Sequence, residues 1–254
     1  VLVNTYVPIE TPCEQGDVTP FLNHLRNVFP NERDQEIFLS FMAACVPYKG
    51  KKFRWAPVLQ GAEGNGKSLF SEILIHILGE KYTHKPNAQE LGAGASKFTG
   101  WLAHKLFIGI EEIHTGGRRE VMDALKPMIA DSRIEMQKKG DDQIMMENRA
   151  NFILCTQHKD AIIKKDTSRR YSIFFTRQQT LQDMIDSGMI ESDGITDTTY
   201  FPDLYGWLEN GGYAYVHSFL REYAIPDVFN PATRCVRAPV TSSNEEAIRV
   251  SLGG

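Results

Sequence analysis

The spacing of apolar positions changes along this 254-residue chain, and the changes divide it. Near the N-terminus the spacing is helical. Phe21, Leu22, Leu25 and Val28 share one face behind Thr19-Pro20, which reads as an N-cap and first helical residue. A second helix is expected from about Asp34, carrying Ile37, Phe38, Phe41, Met42 and Cys45, with Tyr48–Lys52 as a turn after it. Residues 1–17 show no regular pattern, so residues 1–54 read as a helical lead-in.

From 55 to 178 short apolar runs alternate with helical patterns. Ala56–Gln60, Lys105–Ile110, Asn151–Thr156 and Tyr171–Phe175 read as buried strands. Leu69, Phe70, Ile73, Leu74, Ile77 and Leu78 recur at helical spacing before a Gly79 stop, and Met122–Ile129 reads as a further helix. Such alternation predicts an α/β core with a parallel central sheet and ligands at the carboxyl ends of its strands. Arg133–Met146 differs: two alternating stretches around Lys-Lys-Gly-Asp-Asp predict a hairpin with Lys138 and Lys139 at its tip. From 179 to 254 a polar loop precedes a helical segment rich in aromatics (Trp207, Tyr213, Tyr215, Phe219, Tyr223). Packing a small helical subdomain is the preferred role for these, ahead of stacking on bases. The Pro-, Ser- and Thr-rich chain after Pro226 reads as a linker or arm. No internal repeat is visible.

Composition narrows this picture without redrawing it. The net charge of −4 argues against a surface coated in basic residues, but still allows nucleic acid where positive charge is local. No apolar run approaches the roughly 20 residues that a membrane span requires, and no secretory signal is visible, so a cytoplasmic protein is expected. Because the sequence opens on Val1 and not Met, a fragment of a longer polypeptide is expected. Cys13, Cys45, Cys155 and Cys235 lack metal-ligand spacing and read as reduced thiols.

The strongest chemical signal is Gly61-Ala62-Glu63-Gly64-Asn65-Gly66-Lys67-Ser68, a complete G-x-x-x-x-G-K-[ST] phosphate loop between a strand and the helix opened by Leu69. Its glycines let backbone N–H groups face a polyphosphate, Lys67 reaches the β- and γ-phosphates, and the Ser68 hydroxyl can ligate Mg2+. A nucleoside triphosphate, ATP, is the expected ligand, with Gly61, Ala62, Glu63, Gly64, Asn65, Gly66, Lys67, Ser68 and Leu69 as its binding residues. Glu111-Glu112 closes the next strand and reads as the second nucleotide motif: Glu111 for the metal and Glu112 for the attacking water, with the roles open to exchange. Gln157 ends a third strand, where a polar side chain can contact the γ-phosphate or the water. Arg169 and Arg170 precede the last strand. They can pair with a carboxylate, or reach a neighbouring subunit's γ-phosphate.

Taken in this order, residues 18–178 resemble the superfamily 3 helicases of viruses, phages and mobile elements, above all the helicase halves of primase–helicase proteins. The likeness rests on the helical lead-in, Gly64–Ser68, the Glu111-Glu112 strand, the lysine-bearing hairpin and the Arg169-Arg170 pair. It implies an AAA+-like P-loop ATPase core, a homohexameric ring, and 3′→5′ movement on single-stranded or forked DNA during replication. It also implies pore lysines at Lys138 and Lys139, an arginine finger at Arg169 or Arg170, and an upstream primase or polymerase domain. If the chain is phage-encoded, the compartment is the host cytoplasm. One position departs from the family: the sensor strand usually ends in Asn, where this chain has Gln157, which keeps the amide and adds a methylene. Competing readings are an ATP-dependent initiator or loader without unwinding, a small-molecule P-loop kinase, and a nucleotide-binding module without turnover.

Overall fold

A computed structural model describes residues 6–91, 99–111, 118–136, 144–159 and 169–252. Two helices lead in, α1 (Thr19–Val28) and α2 (Glu32–Ala44). Thr19 is the first residue of α1 and not its cap; Asp17 Oδ1 accepts the Thr19 N–H at 2.9 Å. Helix α2 starts at Glu32, before Asp34, because Asn31 caps it and accepts the Asp34 N–H at 3.1 Å. The chain continues through β1 (Ala56–Gln60), α3 (Leu69–Leu78), β2 (Thr83–His84), α4 (Ala88–Leu91), β3 (Phe107–Ile110) and α5 (Arg118–Ala130). Then come β4 (Arg133–Met136), β5 (Ile144–Glu147), β6 (Asn151–Thr156), β7 (Tyr171–Phe175), α6 (Leu181–Asp186), α7 (Tyr200–Trp207), α8 (Tyr213–Glu222) and α9 (Asn244–Leu252).

Strands β2-β3-β6-β1-β7, in that order, make a parallel sheet of five strands, while β4 and β5 pair antiparallel beside it. The expected alternation of strands and helices produces this mixed α/β architecture. Side chains alternate across the sheet with period two. Leu59, Phe107, Ile153, Cys155 and Phe174 enter a core with α1, α2, α3 and α8, whereas Val58, Ile108, Ile110, Phe152, Leu154 and Ile173 pack toward α5 and α9. Both faces are covered, which is why these strands read as continuous apolar runs. Phe21 stacks edge-on against both Phe70 of α3 and Phe219 of α8, so helices from the two ends of the chain share one core. Among the described residues no helix is long and apolar enough to cross a membrane.

The chain after Pro226 is packed where the sequence pattern allowed a linker or arm. It runs along β7, the edge strand, and occupies polar groups that an edge leaves unpaired. Ala238 N–H donates to Arg169 O at 2.9 Å, the Ser172 hydroxyl to Pro239 O at 3.0 Å, and Phe175 N–H to Ser243 Oγ at 2.8 Å. Trp55 Nε1 donates to Cys235 O at 2.8 Å, deep under the same segment. The Ser and Thr content that reads as disorder in sequence supplies these edge hydrogen bonds.

Candidate functional site

Strand register sets the site. Gln60 pairs with Thr156, while Val58 and Ile110 both pair with Leu154, so β1, β6 and β3 end side by side. The residues that follow those ends meet around one cavity of about 310 Å3, lined by Glu63, Gly64, Gly66, Lys67, Ser68, Glu111, Cys155 and Gln157. Residues separated by almost a hundred positions thus converge because the sheet is parallel.

The glycine loop, residues 61–68, is held from below. Gly61 N–H donates to Thr156 O at 3.2 Å and Ala62 N–H to Gln178 O at 2.8 Å. A Cβ at Gly61 would lie 1.8 Å from Thr176 Oγ1, so only glycine lets the loop leave β1 here. Gly64 and Gly66 have φ of 77° and 78°, the left-handed region that favours glycine. Asn65 is fully buried and turned away from the cavity: its Nδ2 donates to Thr176 Oγ1 at 2.9 Å and its Oδ1 accepts the Lys67 N–H at 3.3 Å. Gly61, Ala62 and Leu69 also lie off the cavity wall, Leu69 inside the core. Lys67 Nζ donates to Ala62 O at 2.8 Å, across the loop. Ser68 caps α3 without spending its hydroxyl on the helix, which leaves that group at the cavity wall.

Opposite the loop, Glu111 has a partner that the sequence did not announce. Lys85, just after β2, places Nζ 2.7 Å from Glu111 Oε1 and 3.6 Å from Glu72 Oε1. The contact is an ion pair without hydrogen-bond alignment, so the solvent-shielded Oε1 has a counter-charge but no directed donor among the described residues. Tyr205 adds a donor to Glu72 Oε2 at 3.3 Å; burial, aided by the Glu72 charge, pushes its phenol up to about 12. Cys155 is buried, which pushes its thiol up to about 12 and keeps it protonated and inert.

Behind the loop stands His24 of α1, a second residue without a sequence signal. Its Nε2 lies 3.1 Å from Gly66 O and its Nδ1 2.9 Å from the Tyr200 hydroxyl. Burial lowers its pKa to about 4, against the opposing pull of the Gly66 carbonyl, so the ring is neutral at pH 7.

The arginine pair sits elsewhere. Arg170 O accepts the Ala56 N–H at 2.8 Å, at the start of β1, whereas the loop follows its end. A strand of five residues at about 3.3 Å each separates the two by roughly 16 Å. Arg169 and Arg170 instead line a cleft of about 1070 Å3 with Lys49, Lys51, Arg54, Arg133, Arg149 and Arg237. Asp131 and Glu147 are the acidic residues of its wall, and Arg149 is bridged to Glu147. Lys52 also borders the cleft, but burial holds its pKa well below the ordinary lysine value; its amine donates to the Met128 and Ala150 carbonyls. The Nε of Arg170 is shielded and has no hydrogen-bond partner among the described residues. Lys49, Lys51 and Lys52 fall within the Tyr48–Lys52 stretch, which the sequence pattern marks only as a turn into β1. Glu112, Lys138 and Lys139 lie outside the described residues. Strands β4 and β5, which lead to the lysines, pair in the register Ile134 to Met146 and Met136 to Ile144.

Three comparisons bear on this arrangement. A family of unknown function, DUF5906, matches residues 59–170, the stretch from β1 to the arginine pair. Over 155 residues the chain is 24% identical to the DNA primase-polymerase of Nitratiruptor phage NrS-1, a match that covers 59% of this chain and 21% of that protein. Among solved structures, the apo NrS-1 C-terminal region superposes with a TM-score of 0.74 at 16% identity, over 97% of this chain and 55% of that one. A crystal structure of JCV helicase with a substituted acetamide bound aligns with a TM-score of 0.50 at 10% identity, over 93% of this chain and 60% of that one. The chain therefore spans about half the length of these structures and about a fifth of the phage protein. It shares their mixed α/β fold.

Proposed function

We propose that this chain is the ATP-hydrolysing motor module of a phage-type replication protein, a superfamily 3 helicase with an AAA+-like P-loop core. One observation carries the reading: the glycine loop, Glu111 and Gln157 line a single cavity, although each follows a different strand. Sequence relation to part of a phage primase-polymerase, and a fold shared with a helicase, support the same class. The cavity suits a polyphosphate. Gly64 and Gly66 supply the left-handed turns that fold the loop around it, α3 points its positive N-terminus at it, and Lys67 stands on its wall.

Mg2+ fits the donor set as well. The Ser68 hydroxyl, which does not cap its own helix, and Glu111 Oε1 are the groups that would hold it, and the ion would neutralise phosphate charge there. Glu112, next in sequence, is the candidate to orient the attacking water, and Gln157 to sense the γ-phosphate. The roughly 16 Å between the loop and the arginines forbids a finger within one subunit. A neighbouring copy that docked its basic cleft against this cavity would bring Arg169 or Arg170 to the phosphates, the arrangement of a closed ring. The β4–β5 hairpin would then carry Lys138 and Lys139 to single-stranded DNA, gripping phosphates independently of sequence. A primase or polymerase domain elsewhere in the full-length protein completes the proposal.

Strand displacement on a forked duplex with ATP and Mg2+ tests it. Unwinding that is lost in Lys67→Ala supports the motor. Hydrolysis without displacement favours a loader, and absence of hydrolysis overturns the reading.

A further inference from the structure

His24 touches the glycine loop at the one peptide that joins Gly66 to Lys67, and its hydrogen bonds fix its own protonation. A carbonyl can only accept, so Nε2, 3.1 Å from Gly66 O, carries the proton. In a neutral ring Nδ1 is then the acceptor, and the Tyr200 hydroxyl donates to it at 2.9 Å. The Tyr200 oxygen in turn accepts from Asn27 Nδ2 at 3.3 Å, and the Asn27 carbonyl accepts from Gln178 Nε2 at 3.0 Å. The Gln178 carbonyl accepts the Ala62 N–H at 2.8 Å, which returns the chain to the other end of the loop. The Asn27 and Gln178 amides each make a second bond, to Ser187 O at 3.2 Å and Ser187 Oγ at 2.7 Å, and the two ends of the loop are tied through α1, α7 and the chain after β7.

Packing closes the same joint. A Cβ on Gly66 would come within 2.5 Å of His24 Cε1 and 2.8 Å of Phe201, so the imidazole lies directly against the loop backbone. The ring also packs, tilted by 32°, with its centroid 5.2 Å from that of Phe70 of α3, the helix that the loop opens.

We propose that His24, oriented by Tyr200, is a positioning residue for the glycine loop: it holds the Gly66 carbonyl so that Lys67 and Ser68 are preset for a polyphosphate. The inference rests on the nucleotide reading above and adds residues from both flanking segments to that site. It explains why α1 and α7, which lie outside the cavity wall, are built onto the loop.

The test is the affinity of the purified 254-residue chain for a fluorescent ATP analogue with Mg2+, measured well below each variant's melting temperature. His24→Ala is expected to weaken binding roughly tenfold, and Tyr200→Phe, which keeps the ring packing and loses the donor, about threefold. His24→Gln returns an N–H donor near Gly66 and should recover most of the loss. A residue that served stability alone would lower the melting temperature and leave affinity unmoved. Wild-type affinity in folded His24→Ala overturns the inference; if that variant does not fold, wild-type affinity in Tyr200→Phe does so. Failure of the wild-type chain to bind the analogue instead sinks the nucleotide reading itself.

Discussion

Acidification should weaken the fold through His24, by an amount the structure sets. The unfolded chain takes up a proton on this imidazole near 6.5, whereas burial delays uptake in the folded protein to about 4. Between those values the unfolded state binds more protons, so stability is fully present above about 6.5 and is lost as pH falls toward 4. The full gap corresponds to about 3 kcal/mol, of which about 2 kcal/mol is gone by about pH 5. That is a large part of the roughly 5–15 kcal/mol typical of a domain. Urea denaturation followed by circular dichroism, at about pH 7.5 and about pH 5, would be run on the wild type and on His24→Gln, which cannot titrate. Carboxylates and the other histidines contribute to both proteins and cancel in the comparison. The wild type should lose about 2 kcal/mol more than the variant over this interval. Equal losses would mean that His24 is protonated in the folded state or solvated, and the hydrogen-bond circuit behind the loop would be wrong.

Three further outcomes follow from the site. Lys85→Ala removes the cation beside Glu111, and since the pair is partly exposed the stability change should stay under about 1 kcal/mol; the Mg2+ concentration for half-maximal hydrolysis should nonetheless fall several-fold, and an unchanged value would show that Lys85 does not compete with the metal. Changing Lys138 and Lys139 to Ala should weaken single-stranded DNA binding and flatten its salt dependence by about 0.7 per lost phosphate contact while sparing basal hydrolysis; unaltered affinity would make the hairpin tip an ordinary surface turn. Arg169→Ala and Arg170→Ala should each be tried in mixtures with Lys67→Ala. Partial recovery of hydrolysis from two inactive proteins is the expected result for an arginine acting across an interface, and its absence in both mixtures would contradict that placement.

The sheet was legible because both of its faces are covered. Ala56–Gln60 and Asn151–Thr156 carry unbroken apolar runs, and the parallel register of β1, β3 and β6 alone brings Gly64, Glu111 and Gln157 together. What sequence could not show is whatever depends on contacts between distant segments. Lys85 follows a strand of two residues, too short for a pattern, and pairs with Glu111 only because β2 lies beside β3. His24 sits at a core position of an amphipathic helix, where an isolated histidine carries no signal until Tyr200 and Gly66 meet it. The Ser- and Thr-rich tail misled for a physical reason: the side chains that lower its hydrophobicity donate and accept along the β7 edge.

The rate of ATP hydrolysis by purified protein, with and without a single-stranded oligonucleotide, measures directly whether triphosphate cleavage is coupled to a polynucleotide. A coupled motor hydrolyses ATP several-fold faster on addition of the oligonucleotide, and hydrolysis vanishes in Lys67→Ala. A rate indifferent to the oligonucleotide, from protein that shows no affinity for it, would contradict the motor.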